Sequence, residues 1–502
     1  PDIKIQSQLL YKILRESATY WNQYTVLDQG GGFINAVNAF ELMKKYLKNG
    51  EHKKFETYTV SSFAPNQPDN RSANLYIRDA SFLSGDEVFS FNIKRENSIK
   101  SDKFYRTYNL KTDSDWLKLI QKKTYIRNDQ PATVNVKLDK SKLKTPGLYT
   151  AKISASRDDG SVFPEFDMIA TVVVPYEFNS SNNYKMLWKD ETVAQGMLKR
   201  YFVKIPAGQN SMRIALSRDN MSKKYSRCRY FLHNNDGIQV DVSRVLYSVN
   251  NDERVENYYF DLTPGVYEIV VDGFFLASEP STYNLEVEFS SINRINNESL
   301  TKDNSSIDLV NFFNETKTYN LSGELLGLEK KYSLTVDGKG TLKFPFTLVK
   351  GEKSKEFNFT LTKEDFNKVT DFSFQILDST GKAVSKNALS YRSGGTVSVE
   401  LPNDKDSANF VLELIPAFVN KELSAKIFVQ ELTYLPTPVQ LEVKNAGKKS
   451  VTLYPNNIKT IDVKFVMPDI YKSDGSLVFG KIYFKSQSTN NTEYELPINF
   501  KY

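Results

Sequence analysis

Cysteine is all but missing from this chain: Cys228 is the only one in 502 residues. A single thiol excludes an intrachain disulfide and any zinc site built on cysteines. Histidine is almost as scarce, with His52 and His233 alone. Nucleophilic hydrolysis through a Ser-His-Asp triad needs an imidazole beside its serine. His52 stands in the polar connector NGEHKK and His233 at a strand-to-turn boundary, FLHNNDG. No serine occupies a G-x-S-x-G elbow, and two isolated histidines do not make a metal cluster. Among 60 acidic residues nothing singles out a catalytic carboxylate pair. No catalytic, cofactor-binding or metal-binding residue is therefore assigned within these residues. No apolar run approaches the ~18–20 residues needed to span a bilayer. A basic block is lacking too: the formal charge of +6 is spread over 66 cationic and 60 anionic side chains, which gives no support to nucleic-acid binding. The chain begins Pro-Asp with no signal peptide, and its first methionine is Met43, so further sequence is expected upstream.

Against these absences stands a wealth of aromatic and alternating sequence, with 29 Tyr and 33 Phe. Residues 1–50 carry the clear helical periodicity. IQSQLLYKILRESA places Leu9, Leu10, Ile13 and Leu14 on one face with Ser7 as a cap. Ala36, Ala39, Phe40 and Met43 follow the i, i+3, i+4, i+7 rule of a second, core-facing stripe, and Gly50 is read as its stop. From residue 52 the period changes to two. KFETYTV, EVFSFNIK, ATVNVKLD, GLYTAKISAS and FDMIATVVVP read as strands up to Pro175, and the pattern then recurs to the end of the chain. The expected fold is mainly β. Segment 1–50 is followed by antiparallel β-sandwiches over 51–175, 176–292, 293–433 and 434–502. PGLYTAKISA and PGVYEIVVDG both suggest a type II turn at Pro-Gly, at Pro146–Gly147 and Pro264–Gly265. Similar sandwiches reusing one hairpin chemistry explain that echo better than a repeat array does.

Two further signals bear on function. Asn-x-Ser/Thr sequons occur at Asn70, Asn179, Asn220, Asn297, Asn304, Asn314, Asn320, Asn358 and Asn490. Their number tilts the reading toward an extracellular or cell-surface glycoprotein, with a cytoplasmic location as the alternative. Gly30, Gly31 and Gly32 open onto the second helix. Glycines there can cradle a phosphate on free N–H groups, or let a loop pass tightly under a neighbouring layer. No GK[ST] follows them, so the phosphate signal is weak. The NNDG at Asn234–Gly237 and DGKG at Asp337–Gly340 could hold a structural calcium through loop oxygens, but read better as hairpin turns. No cofactor is expected otherwise.

The order of several motifs carries a resemblance. PDIKIQSQLLYKILRESA followed by DQGGGFINAVNAFELM resembles the end of a subtilisin-type catalytic domain, with Gly30, Gly32, Asn35 and Ala36 in the places of its glycine-rich closing turn. NLYIRDASF, ATVNVKLDKSKLKTPGLYTAKISA, LKRYFVKIPAGQNSMRIAL and PGVYEIVVDGFF are similar, in that order, to segments after the catalytic domain in the tripeptidyl-peptidase II family. The match is good over residues 1–290 and looser beyond. The resemblance implies that residues 1–50 are the closing helices of a subtilase α/β domain, with Gly30, Gly31, Gly32 and Asn35 forming its closing loop. It likewise implies fibronectin III-like sandwiches at 51–175 and 434–502 and a jelly-roll-like one at 176–292. The family's Asp, His, Asn and Gly-Thr-Ser-Met-Ala serine motif do not occur here, so no catalytic residue transfers to any position.

The leading expectation is the C-terminal, accessory part of a large secreted or cell-surface subtilisin-like serine peptidase, a hydrolase whose triad lies upstream. Whether the chain belongs to an active enzyme stays open. Its implied partners are that upstream segment, continuous or processed, polypeptide substrates, and further copies of itself as a homo-oligomer. The alternative is a non-catalytic surface structural or adhesion protein on the same scaffold, and a lectin-like module is a third reading. The first reading implies that Leu9, Ile13, Val37 and Phe40 form an apolar seam awaiting an absent partner.

Overall fold

The computed structural model describes residues 6–501, apart from 65–66, 85–86, 97–102, 219–223, 250–252, 261, 291, 296–298, 302–304, 312–315, 339, 390–394 and 465–476. Three helices open the chain: α1 (Ser7–Glu16), the single turn α2 (Val26–Gln29) and α3 (Ala36–Lys48). Strong helix formers fill α1. Its end is closed by Ser17, whose hydroxyl bonds the Ile13 carbonyl at 2.7 Å. Ser7 does not cap it; the N-cap is Gln6, with no side-chain bond, and Ser7 is the first helical residue. Asn35 caps α3 by accepting the Asn38 N–H at 3.0 Å. The helix stops at Gly50, whose φ of +69° is the left-handed conformation that ends many helices.

Apart from the short helix α4 (Lys363–Phe366) and a few 3-10 turns, the regular structure of the remaining described residues is β, because short alternating segments bury one face each. A five-stranded sheet of Gln67–Ser72, Thr57–Ala64, Val88–Glu96, Ala132–Leu138 and Leu117–Leu119 lies over another. The second sheet holds Asn74–Ile77, Phe166–Val174, Gly147–Arg157, Tyr105–Thr112 and Lys123–Arg127. Between them Phe91, Ile93, Tyr108, Ile126, Val134, Ile153 and Met168 are fully buried. A second sandwich packs the sheet of Leu198–Lys204, Val266–Gly273 and Arg227–His233 onto that of Lys185–Val193, Ser281–Ser290, Ser211–Arg218 and Glu253–Tyr259. The two sandwiches are joined by the apolar contact of Val173, Phe202 and Val266 with Tyr76 and Leu148. Buried Arg78 reinforces it, donating to the carbonyls of Asn234 at 3.0 Å and Val266 at 3.2 Å.

The remainder is interleaved, unlike the serial units expected over 293–433 and 434–502. Lys317–Asp337 and Ser424–Lys444 are each single strands of 21 residues, so a cut at 433 runs through the second of them. They pair with each other across a bulge between Leu325 and Gly327. One core gathers residues from 292–325 and 441–500, and another gathers residues from 336–429. The bulge needs a glycine, because a Cβ on Gly327 would run into the Thr433 carbonyl.

Two turn readings also change. DGKG does not close a hairpin, since Lys317–Asp337 and Leu342–Val349 lie in different sheets. NNDG does close one: Asn234 N–H bonds the Ile238 carbonyl and Gly237 has φ +81°. Gly147 and Gly265, at φ +153° and +140°, are too extended for the second central residue of a type II turn.

Candidate functional site

Of the chemistry-bearing residues, the histidines stand apart. His52 lies in the 3-10 turn Glu51–Lys53, and His233 ends a strand of the second sandwich. The Nδ1 atom of each is buried without a hydrogen-bond partner, so neither has the bond that orients a catalytic imidazole. Among the described residues no group of three or more His, Cys, Asp or Glu could hold a metal ion, and no helix is long and apolar enough to cross a membrane.

The distinctive feature is the segment 7–48. Its inner side is built on Leu9, Ile13, Ala39 and Tyr46, which pack on Phe163 of the first sandwich. The Tyr46 and Phe163 rings stack with centroids 4.9 Å apart. Burial pushes the Tyr46 hydroxyl well above its ordinary range, with the carboxylates of Glu165 and Glu51 adding to the effect. The Arg157 side chain, almost fully enclosed, joins this segment to the sandwich. It pairs with Glu51 just beyond α3, with Asp159 at 2.9 Å and with Glu165 at 3.3 Å. Burial raises the Glu165 pKa, and the neighbouring Arg106 and Arg157 oppose that rise without cancelling it.

The glycine loop is a closed hydrogen-bonded unit. Thr19 and Phe33 exchange both backbone bonds, at 2.8 and 2.9 Å. Gly30 N–H is spent on the Val26 carbonyl and Gly32 N–H on the Gln29 carbonyl. With Asn35 capping α3 as well, these groups are not free to cradle a phosphate. Gly32, at φ +109°, passes directly over the Thr19 carbonyl, where a side chain would collide; Gly31 lies against the Arg15 backbone. The Asn35 Nδ2 reaches the Thr19 hydroxyl at 3.3 Å. The structure thus makes Gly31, Gly32 and Asn35 a tight packing turn against Arg15 and Thr19, while Gly30 faces open space and closes α2 at a φ of +58°.

On its outer side the same segment is apolar and uncovered. Ile34, Val37 and Phe40 are 75%, 74% and 62% exposed, and Leu10, Tyr11, Tyr20, Trp21, Leu27 and Phe33 of the same segment are exposed as well. The stripe read from the sequence is therefore rotated: Ala39 is buried and Met43 packs on the core, whereas Ala36 and Phe40 face outward. Leu9 and Ile13 belong to the packed side, so the expected seam retains only Val37 and Phe40 of its four residues. Sequence reasoning missed Trp21, Phe33 and Ile34, although each is a large apolar residue in a polar, glycine-containing loop. That placement was the available signal. Single exposed apolar residues are ordinary, but so many within one short segment make it a candidate contact surface.

Of the sequons, Asn179, Asn320 and Asn490 are exposed. Asn358 lies inside a strand, its amide bonded to Glu356 at 2.9 Å and its carbonyl oxygen to Thr396 at 2.5 Å. Asn220, Asn297, Asn304 and Asn314, and the side chain of Asn70, fall outside the described residues.

No family model matches the chain. It is similar to pyrolysin of Pyrococcus furiosus, at 27% identity over 214 residues, covering 40% of this chain and 14% of pyrolysin. It is also similar in structure to tripeptidyl peptidase 2, with a TM-score of 0.70 at 12% identity, covering 100% of this chain and 44% of that one. The chain thus spans less than half the length of either. The structural likeness speaks for the fold, and the pyrolysin match adds a relation in sequence. In these respects the chain resembles the region C-terminal to the catalytic serine in subtilisin-like peptidases of the tripeptidyl-peptidase II type.

Proposed function

We propose that this chain is the non-catalytic C-terminal portion of a subtilisin-like serine peptidase, secreted or displayed at the cell surface. Segment 7–48 completes a catalytic body supplied by upstream residues, and the β-sandwiches govern access to it and assembly around it. The observation that carries the reading is the two-sided segment: one side is locked onto the first sandwich, and the other presents Ile34, Val37 and Phe40 uncovered. Burying such side chains is worth about 1.5–3 kcal/mol each, enough in sum to hold a covering body in place. The chemistry of the whole protein is then acyl transfer: serine attack, histidine base, aspartate orientation and an oxyanion hole, all from upstream. Gly30, Gly31, Gly32 and Asn35 act as the closing turn of that body and touch no substrate. Asn179, Asn320 and Asn490, exposed in this structure, are the acceptors for glycan in the extracellular setting.

The test is to treat the full-length protein with a fluorophosphonate, which esterifies an activated serine, and to map the labelled peptide. The expected label is on a serine preceding Pro1, with peptide hydrolysis abolished in proportion. No label, or a label within residues 1–502, overturns the peptidase reading.

A further inference from the structure

The strand Leu198–Lys204 of the second sandwich presents three side chains toward the other units. Lys204 pairs with Asp79 of the first sandwich at 3.0 Å, and Phe202 joins the apolar contact with Val173 and Val266. Arg200 reaches α2. Its Nη1 donates to Glu268 at 2.6 Å and its Nη2 to Asp28 at 3.2 Å. Glu268 is held on Val266–Gly273, the strand whose Val266 carbonyl receives Arg78 from the first sandwich. The guanidinium is thus fixed by one carboxylate while it holds the other.

Asp28 is divided between two tasks. One oxygen, Oδ2, completes the α2 capping box, accepting from the Thr25 N–H at 3.0 Å and the Thr25 hydroxyl at 2.7 Å. The other, Oδ1, takes Arg200. From α2 the bonding continues into the glycine loop. The Gln29 side chain donates to the Trp21 and Tyr24 carbonyls at 2.6 and 2.8 Å and accepts the Trp21 N–H at 3.0 Å. Trp21 in turn lies against Phe33, with ring centroids 4.6 Å apart. A single turn of helix is not stable alone. An external anchor on it therefore fixes the strand-like pair of Thr19 and Phe33 and the setting of Ile34, Val37 and Phe40.

We propose that Arg200 is a positioning residue: through Asp28 the second β-sandwich sets the conformation of the 19–35 loop, and with it the surface offered to the catalytic body. This rests on the function proposed above for its catalytic consequence, but not for its structural one. The coupling is electrostatic and partly exposed, so it weakens with salt. By reciprocity, whatever shifts the second sandwich against α2 alters the closing surface, and covering that surface steadies the contact.

The experiment uses the full-length protein carrying Arg200→Met, Asp28→Asn or both, with Arg200→Lys as the conservative variant. Hydrogen exchange at the Thr19, Gly32 and Phe33 amides is expected to quicken about three- to tenfold in each single variant, as loss of a partly buried charged bond predicts. The double variant should add little, Arg200→Lys should recover most of the protection, and Ile93 in the first core should be unchanged. On a peptide substrate, kcat should fall several-fold with KM held within about twofold. Unchanged exchange in Arg200→Met overturns the coupling, whatever the activity. Quickened exchange in a protein that hydrolyses no peptide upholds the coupling and removes the peptidase reading. If Arg200→Met speeds exchange everywhere, Ile93 included, the charge-retaining Arg200→Lys decides: local protection restored supports the role, and local protection still lost contradicts it.

Discussion

The first sandwich and the helical segment that leans on it solve the same problem to different degrees. In the sandwich, each alternating strand has an opposing sheet, and Phe91, Ile93 and Val134 are wholly enclosed. In segment 7–48, Leu9 and Ile13 are equally enclosed, but Val37 and Phe40, on the same kind of amphipathic element, are not. Hydrophobic burial is the main driving force of folding. A unit that leaves Val37 and Phe40 in water while burying Tyr46 has one satisfied side and one unsatisfied side. On the function proposed above, the upstream body covers the outer side of α3 and the Trp21–Ile34 loop, away from Phe163.

The comparison can be broken by core truncation. Phe91→Ala should cost about 3–5 kcal/mol in urea unfolding, whereas Phe40→Ala should stay within about 0.5 kcal/mol in the 502-residue chain. Equal losses would mean that Phe40 is buried after all. Arg157→Met strips Glu51 and Glu165 of their shared cation and should cost up to about 3–5 kcal/mol, detaching the helical segment before the sandwich melts. Circular dichroism separates the two, helix signal being lost first. Gly32→Ala forces a side chain against the Thr19 carbonyl at a φ that only glycine adopts readily. A cost of about 1–3 kcal/mol is expected, confined to exchange of the 19–35 amides.

The smallest effect is one of pH. Burial pushes the Asp28 pKa upward, but the Thr25 bonds and Arg200 outweigh it and leave it depressed. A depressed carboxylate stabilises the fold above the unfolded value of about 3.9 and loses that contribution as pH falls through the folded value. Acidification below about pH 4 should therefore loosen the glycine loop. Asp28→Asn should flatten that response, and an undiminished one would assign it to another group.

The β architecture was legible because alternation in KFETYTV or FDMIATVVVP reports one buried face directly. Helix positions in segment 7–48 were legible for the same reason, with Gly50 marking the end of α3; that Asn35 caps its start emerged only from the structure. Which face of α3 is covered was not. Ala36, Ala39, Phe40 and Met43 satisfy helical periodicity, but period alone does not say which of two apolar flanks meets Phe163. The interleaving of residues 292–325 with 441–500 was hidden because it depends on pairing between strands more than a hundred residues apart, such as Gly323 with Leu441. The Asp28–Arg200 contact was invisible for the same reason, its two charges being 172 positions apart.

The central claim, that segment 7–48 closes a body built from upstream sequence, is tested most directly by side-chain footprinting. Hydroxyl-radical labelling of Phe33, Ile34, Val37 and Phe40 would be compared between the 502-residue chain and the full-length protein. The account predicts strong labelling in the former and protection of all four in the latter, with Phe275, exposed on the second sandwich, labelled equally in both. Labelling of the four that stays high in the full-length protein would contradict it.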